Sequence, residues 1–322
     1  MGPPNPNGVV MNIPEDYKTA FKGGRRGQRR KNRPVLKNSV RQTARQLLNS
    51  RSFTARDEAI LETLFGIGLL SRNQIQRLFW AGSHPNTVAK RLRILYERHL
   101  LNYTPDLLDR MRTSRLEPCH IYGLAEVGEE ILAVRRGLTR SRLGLGQRYD
   151  LQRGNPLLMH DLQVSEVYVK ARIAVGQYAG QLAWYNEKAA AIRTQAGEEL
   201  VRPDGALQIT LIGAVSTYFL EMDRGSTHWP NKVDFYEHAQ RSGDSWSQQF
   251  YTSEFPPVLA VVPNRLLGKA SQVIRQQART VRFWIKTWPA FLDTDFLRDW
   301  SDAITGNPVN LIPEGGLAHG RQ

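Results

Sequence analysis

The stretch that decides the fold is Arg202–Lys232, "RPDGALQITLIGAVSTYFLEMDRGSTHWPNK". Two apolar runs are joined by a turn, and acids stand at the open end of both, which predicts a strand hairpin. With Gly213 first in a two-residue type II′ turn, Ile212 pairs with Val215. Counting outward, Ala206 faces Glu221 and Asp204 faces Asp223. Glu221 and Asp223 lie two apart on one strand and share a face. Asp204 then stands across from Asp223, roughly 5 Å away, and diagonal to Glu221. Like charges so placed repel. A divalent cation taking their oxygens would relieve the repulsion. With Mg²⁺ it would also lower the pKa of a bound water beside a phosphate. The plainer alternative is that Pro203–Asp204–Gly205 is an ordinary turn opener and the acids are merely solvated. Spacing alone leaves both readings open.

Working outward, "PLLMHDLQVSEVYVKARIAV" predicts a helix before the hairpin and "LAWYNEK" a strand. After it come a helix from Pro230 to about Arg241, a strand "VLAVVP", a helix near residues 270–280 and a compact strand-helix ending. Residues 156–305 thus read as an αβ domain with a central mixed sheet, and residues 306–322 as a loose tail. Residues 138–155, "LTRSRLGLGQRYDLQRGN", read as a linker.

Residues 53–137 have a different texture. Thr54 caps a helix with Ile60, Leu61, Leu64 and Phe65 on one face, and Ser71 with Gln74 forms a capping box for a second. Pro85 opens a third helix, whose Val88, Leu92 and Leu95 face inward. "LLNY" and "HIYGL" can pair around a variable wing, and "AEVGEEILAVRRG" predicts a last helix. Three short helices and a two-stranded wing make the winged helix-turn-helix pattern. Its third helix presents Asn86, Thr87, Lys90, Arg91 and Arg93, groups suited to base edges and phosphates of double-stranded DNA. The alternative is a module for protein contacts with a solvated basic face.

The net charge is +14, which favours a polyanion as partner. Most of the surplus lies in residues 1–52, where twelve basic residues face only Glu15 and Asp16. This segment has little apolar pattern and is expected to be disordered. Its densest part, with Arg25, Arg26, Arg29, Arg30 and Lys31, reads either as a solvated tail or as a phosphate-binding arm. The single cysteine, Cys119, rules out an internal disulfide and a Cys/His metal cluster, and argues for a reducing cytoplasm. The N-terminus lacks the order of a signal peptide, and no apolar run suits a membrane helix.

"PDG" at Pro203–Gly205 and "FLEMD" at Phe219–Asp223 resemble the PD-(D/E)XK nuclease superfamily, with its restriction-endonuclease-like fold. More narrowly, the winged-helix half joined to "MHDLQVSEVYV", "RPDG", "YFLEMDRGST" and "NKVDFYEH" resembles the replication-relaxation protein family of bacterial plasmids and mobile elements. The resemblance spans roughly residues 55–300. It implies DNA binding in plasmid replication and relaxation, in a bacterial cytoplasm, alongside replication or transfer proteins of the same element. It further implies Mg²⁺ held by Asp204, Glu221 and Asp223. The superfamily lysine expected two residues after Glu221 is replaced by Asp223, so Lys232 would assist from the next helix, or Arg224 would clamp the phosphate. Glu166 is a further weak ligand candidate, and His160 reads as structural or DNA-contacting. Tyr218 and Tyr236 lack the histidine triad that a tyrosine relaxase needs. The rival readings are a non-catalytic initiator or regulator with a degenerate nuclease fold, and an RNA-directed role for the arm.

Overall fold

The computed structural model describes residues 36, 38–104, 115–116, 119–143, 157–225 and 227–312. They divide into two compact units, with the division at Val169/Lys170. Among them, no helix is long and apolar enough to cross a membrane.

The first unit opens with α1, Val40–Leu48. Ser39 caps it, and Val40, Ala44, Leu47 and Leu48 recur at helical spacing, with Ala44 buried. This corrects the expectation of disorder through residue 52, while the basic cluster Arg25–Lys31 lies outside the described residues. Helix α2, Ala55–Ile67, carries a capping box of Thr54 and Asp57. Strand β1, Leu69–Ser71, leads into α3, Arg72–Phe79, with the Ser71–Gln74 box in place. Then come α4, Pro85–Glu97, the strands β2, Leu101–Thr104, and β3, Ile121–Leu124, and α5, Glu126–Arg135. The sheet is three-stranded and antiparallel, in the order β1-β3-β2. The sequence reading had two strands. The third is three residues long and abuts a helix cap, so no periodicity betrays it. The expected wing tip, residues 105–114, is outside the described residues, as are residues 144–155 of the expected linker and residue 156 at the start of the expected αβ domain.

Helix α6, Leu158–Gln177, contains the division between the units. Beyond it lie β4, Gln181–Asn186, the short α7, Glu187–Ala190, and the small ribbon of β5, Ile192–Arg193, and β6, Glu199–Val201. The hairpin follows as β7, Gly205–Leu211, and β8, Ala214–Met222. Next are α8, Trp229–Arg241, α9, Asp244–Phe250, and β9, Val258–Val262. A 3-10 turn, Asn264–Leu266, runs into α10, Leu267–Gln277. Strand β10, Phe283–Thr287, α11, Trp288–Asp293, β11, Trp300–Asp302, and β12, Pro308–Val309, complete the unit.

Seven strands form one mixed sheet in the order β12-β11-β10-β9-β8-β7-β4. Only β8, β9 and β10 run parallel to their neighbours in that group; the other pairings are antiparallel. Strand β9, "VLAVV", is buried throughout, as a strand covered on both faces must be. Phe219, Trp229, Val233, Tyr236, Phe250 and Phe283 are among the core residues that pack α8 and α9 against the sheet. The expected loose tail is corrected at its start: β12 pairs with β11, and Leu311 and Ile312 are buried.

The hairpin turn differs from the type II′ expectation. Ile212 and Gly213 both have positive φ, 51° and 80°, and Leu211 pairs with Ala214. That is the type I′ pattern, whose twist suits a hairpin. The register therefore slides, and Ala206 pairs with Phe219 instead of Glu221.

Candidate functional site

The slide in register keeps the acids on one face but changes their partners. One step beyond the Gly205–Leu220 pair, Asp204 comes beside Glu221 rather than Asp223. Asp204 is half-buried, and its Oδ2 accepts from the N–H of Met222 at 2.6 Å. Gly205 makes this strand start possible, because a Cβ there would lie 2.8 Å from the Trp184 ring.

Glu221 is buried. Its Oε1 accepts from Lys232 Nζ at 2.8 Å and from the Tyr236 hydroxyl at 2.7 Å. Lys232 and Tyr236 are four apart on α8 and so share a face. Lys232 also donates to the Arg202 carbonyl at 3.2 Å. Tyr236 is fixed by Phe219 and Phe283, with ring centroids 5.9 and 5.8 Å away. Sequence reasoning weighed Tyr236 only as a nucleophile and missed this anchoring role, although its spacing from Lys232 could have revealed it.

Burial pushes Glu221 up to about 7, and the charge of Asp204 adds to this; the bonds from Lys232 and Tyr236 oppose it and lose. Burial likewise pushes Asp204 up to about 6, against the Met222 N–H and Lys232, with Glu187 and Asp223 adding repulsion. Burial and the Glu221 charge hold the Tyr236 phenol well above its usual range, which keeps it protonated.

Asp223 takes a different part. Its Oδ1 accepts from the N–H groups of Gly225 at 2.6 Å and Thr227 at 3.3 Å, and its Oδ2 from Trp229 Nε1 at 2.9 Å. It ties down the loop between β8 and α8. Among the described residues, no group of three or more His, Cys, Asp or Glu side chains is arranged to hold a metal ion. The expected three-acid cluster is therefore corrected to a pair, Asp204 and Glu221. Two carboxylates are hard oxygen donors of the kind a small divalent cation takes alongside its own waters. The charge of Asp204 raises Glu221, a repulsion that a cation held by both would relieve, so the pair fits such an ion.

The remaining expected residues separate clearly. On α4, Asn86, Thr87, Lys90 and Arg93 are exposed, and Arg93 pairs with Glu97 at 2.8 Å. Arg91 is turned inward: its Nε donates to Asp57 Oδ1 at 2.8 Å and its Nη2 to the Ser52 carbonyl at 2.8 Å. Asp57 is fully buried and belongs to the α2 cap, so Arg91 is a structural clamp and not part of the exposed face. Glu166 is buried and accepts from Gln74 Nε2 at 3.0 Å and Arg77 Nη2 at 2.7 Å. It joins α6 to α3 within the first unit rather than the acid pair. Trp184, Trp229 and Trp288 are buried as core, and Trp284 is partly exposed.

Comparison with curated proteins finds no match, and comparison with solved structures finds none either. A family model described as Replication-relaxation matches residues 61–252, which takes in α3, α4, the hairpin, the acid pair and α8. The chain belongs to the replication-relaxation family.

Proposed function

We propose that the protein binds duplex DNA in the replication and relaxation of a plasmid or mobile element, and that Asp204, Glu221 and Lys232 form an Mg²⁺-dependent nicking centre. Family membership supports the replication role. The order helix, strand, helix, helix, strand, strand over residues 55–124 supports a winged helix-turn-helix reading of the first unit. In that reading α4 enters the major groove, with Asn86, Thr87 and Lys90 toward the DNA.

The observation that carries the nicking centre is the convergence of three groups, one just before β7, one on β8 and one on α8, with Lys232 Nζ 2.8 Å from Glu221 beside Asp204. Mg²⁺ held by the pair supplies Lewis acidity and a water of lowered pKa. Lys232 offers a positive charge to the phosphate, and Tyr236 fixes the Glu221 carboxylate in place. The sheet unit would act as a restriction-endonuclease-like domain. The test is nicking of supercoiled plasmid in Mg²⁺ by wild type, Asp204→Asn, Glu221→Gln and Lys232→Ala. Each variant is expected to lose at least about 100-fold in rate while keeping duplex affinity within about threefold, a shift below 1 kcal/mol. Equal nicking by all four proteins overturns the catalytic reading.

Engagement of both Asp223 oxygens in the loop favours a second reading, in which the sheet unit grips DNA without cutting it. Duplex binding without nicking by any of the four proteins supports it.

A further inference from the structure

Between Glu254 and Asp293 the sequence contains no acid but six bases: Arg265, Lys269, Arg275, Arg279, Arg282 and Lys286. Four are engaged. Arg275 donates to the Ile304 carbonyl at 3.0 Å and Arg279 to that of Ala278 at 3.3 Å. Arg282 pairs with Glu254 at 2.9 Å, and the buried Lys286 donates to Thr294 Oγ1 at 2.9 Å. The side chains of Arg265 and Lys269 are exposed and make no hydrogen bond or ion pair with any described residue. They stand four residues apart where the 3-10 turn runs into α10, which puts them on one face.

Their position is specific. The parallel strands β8, β9 and β10 end together at Met222, Val262 and Thr287, and ligands of open αβ sheets bind at such carboxyl ends. Glu221 is one residue from that end of β8, and the turn bearing Arg265 begins two residues after β9. Strand β8 leads into α8 through the loop that starts at Asp223, where Gly225 has φ +104°, and a Cβ there would lie 2.8 Å from Arg265 Nη2. The guanidinium thus rests on the loop that leaves the acid pair.

We propose that Arg265 and Lys269 contact neighbouring phosphates of the duplex whose backbone reaches Asp204 and Glu221. The contact rests on the DNA-binding reading above. It positions the strand and reads no sequence, because phosphates carry none.

The test is fluorescence anisotropy of a labelled duplex across a salt series, with full-length wild type, Arg265→Ala/Lys269→Ala and the control Arg275→Ala. The slope of log K against log salt is expected to fall in magnitude by about 0.9 for each lost phosphate contact, so by nearly 2 in the double variant. The control keeps the wild-type slope. Thermal midpoints within about 2 °C of one another would show that all three proteins are folded. An unchanged slope in the double variant, with wild-type binding intact, overturns this contact alone. Absence of salt-dependent binding by wild type overturns the DNA reading and this contact with it.

Discussion

Asp57 and Glu221 are both buried acids, yet their surroundings drive them in opposite directions. Burial raises Asp57, but bonds from Arg91 and Thr54 outweigh it and hold the carboxyl below its ordinary value. Its contribution to stability is present above the unfolded pKa near 3.8 and disappears as pH falls through the lower folded value. Glu221 is raised from 4.5 to about 7, so the native state holds its proton more tightly than the unfolded chain. Stability from this group is full below about pH 4.5 and is lost as pH rises toward 7. Glu221→Gln should therefore stabilise the protein relative to wild type at pH 8 more than at pH 5, by an amount on the order of 2 kcal/mol. Urea unfolding at both pH values measures it, and a constant difference would contradict the assignment. Millimolar Mg²⁺ should raise the wild-type thermal midpoint at pH 8 and leave that of Glu221→Gln unchanged, because only the native pair binds it. The acidic residues themselves were legible in the sequence. Their roles were not, since whether Asp223 meets a cation or a loop depends on where the N–H groups of Gly225 and Thr227 fall.

Among elements, the hairpin and α4 show how far pattern reading reaches. Alternation located β7 and β8 and the face that their acids share. The turn type was misjudged, because an isoleucine with positive φ is uncommon and Gly213 alone suggested type II′. The error moved each partner along the strand by two residues without changing the face, so the acid pair survived with Glu221 in place of Asp223 opposite Asp204. On α4, composition could not separate Lys90, which is exposed, from Arg91, which bonds the buried Asp57. Arg91→Ala leaves that carboxylate without its charged partner and should cost about 3–5 kcal/mol in chemical denaturation. Lys90→Ala should change stability by less than about 0.5 kcal/mol and weaken duplex binding, as read by anisotropy. If the two variants exchange these behaviours, the exposed face of α4 is not the DNA-contacting one.

At the scale of the whole molecule, charge and topology carry separate information. Most of the +14 surplus lies in the first 52 residues, and α1 starts at Val40 within them. Deletion of residues 1–35 should weaken binding to all duplexes alike and flatten its salt dependence, leaving preference among sequences unchanged, since contacts of this kind neutralise phosphates. A changed preference in competition assays would assign the arm a reading role instead. The mixed sheet was legible because its strands are apolar and well spaced. The terminal β12 was not, because two residues containing a proline give no alternation to detect. That strand has a consequence for how the molecule meets its surroundings. Pro308 has no amide hydrogen to donate, so the β12 edge of the seven-stranded sheet, one of its two, is a poor template for a neighbouring backbone. Growth of the ladder into an aggregate is discouraged there, and any protein recruited to that border has to be recognised through side chains.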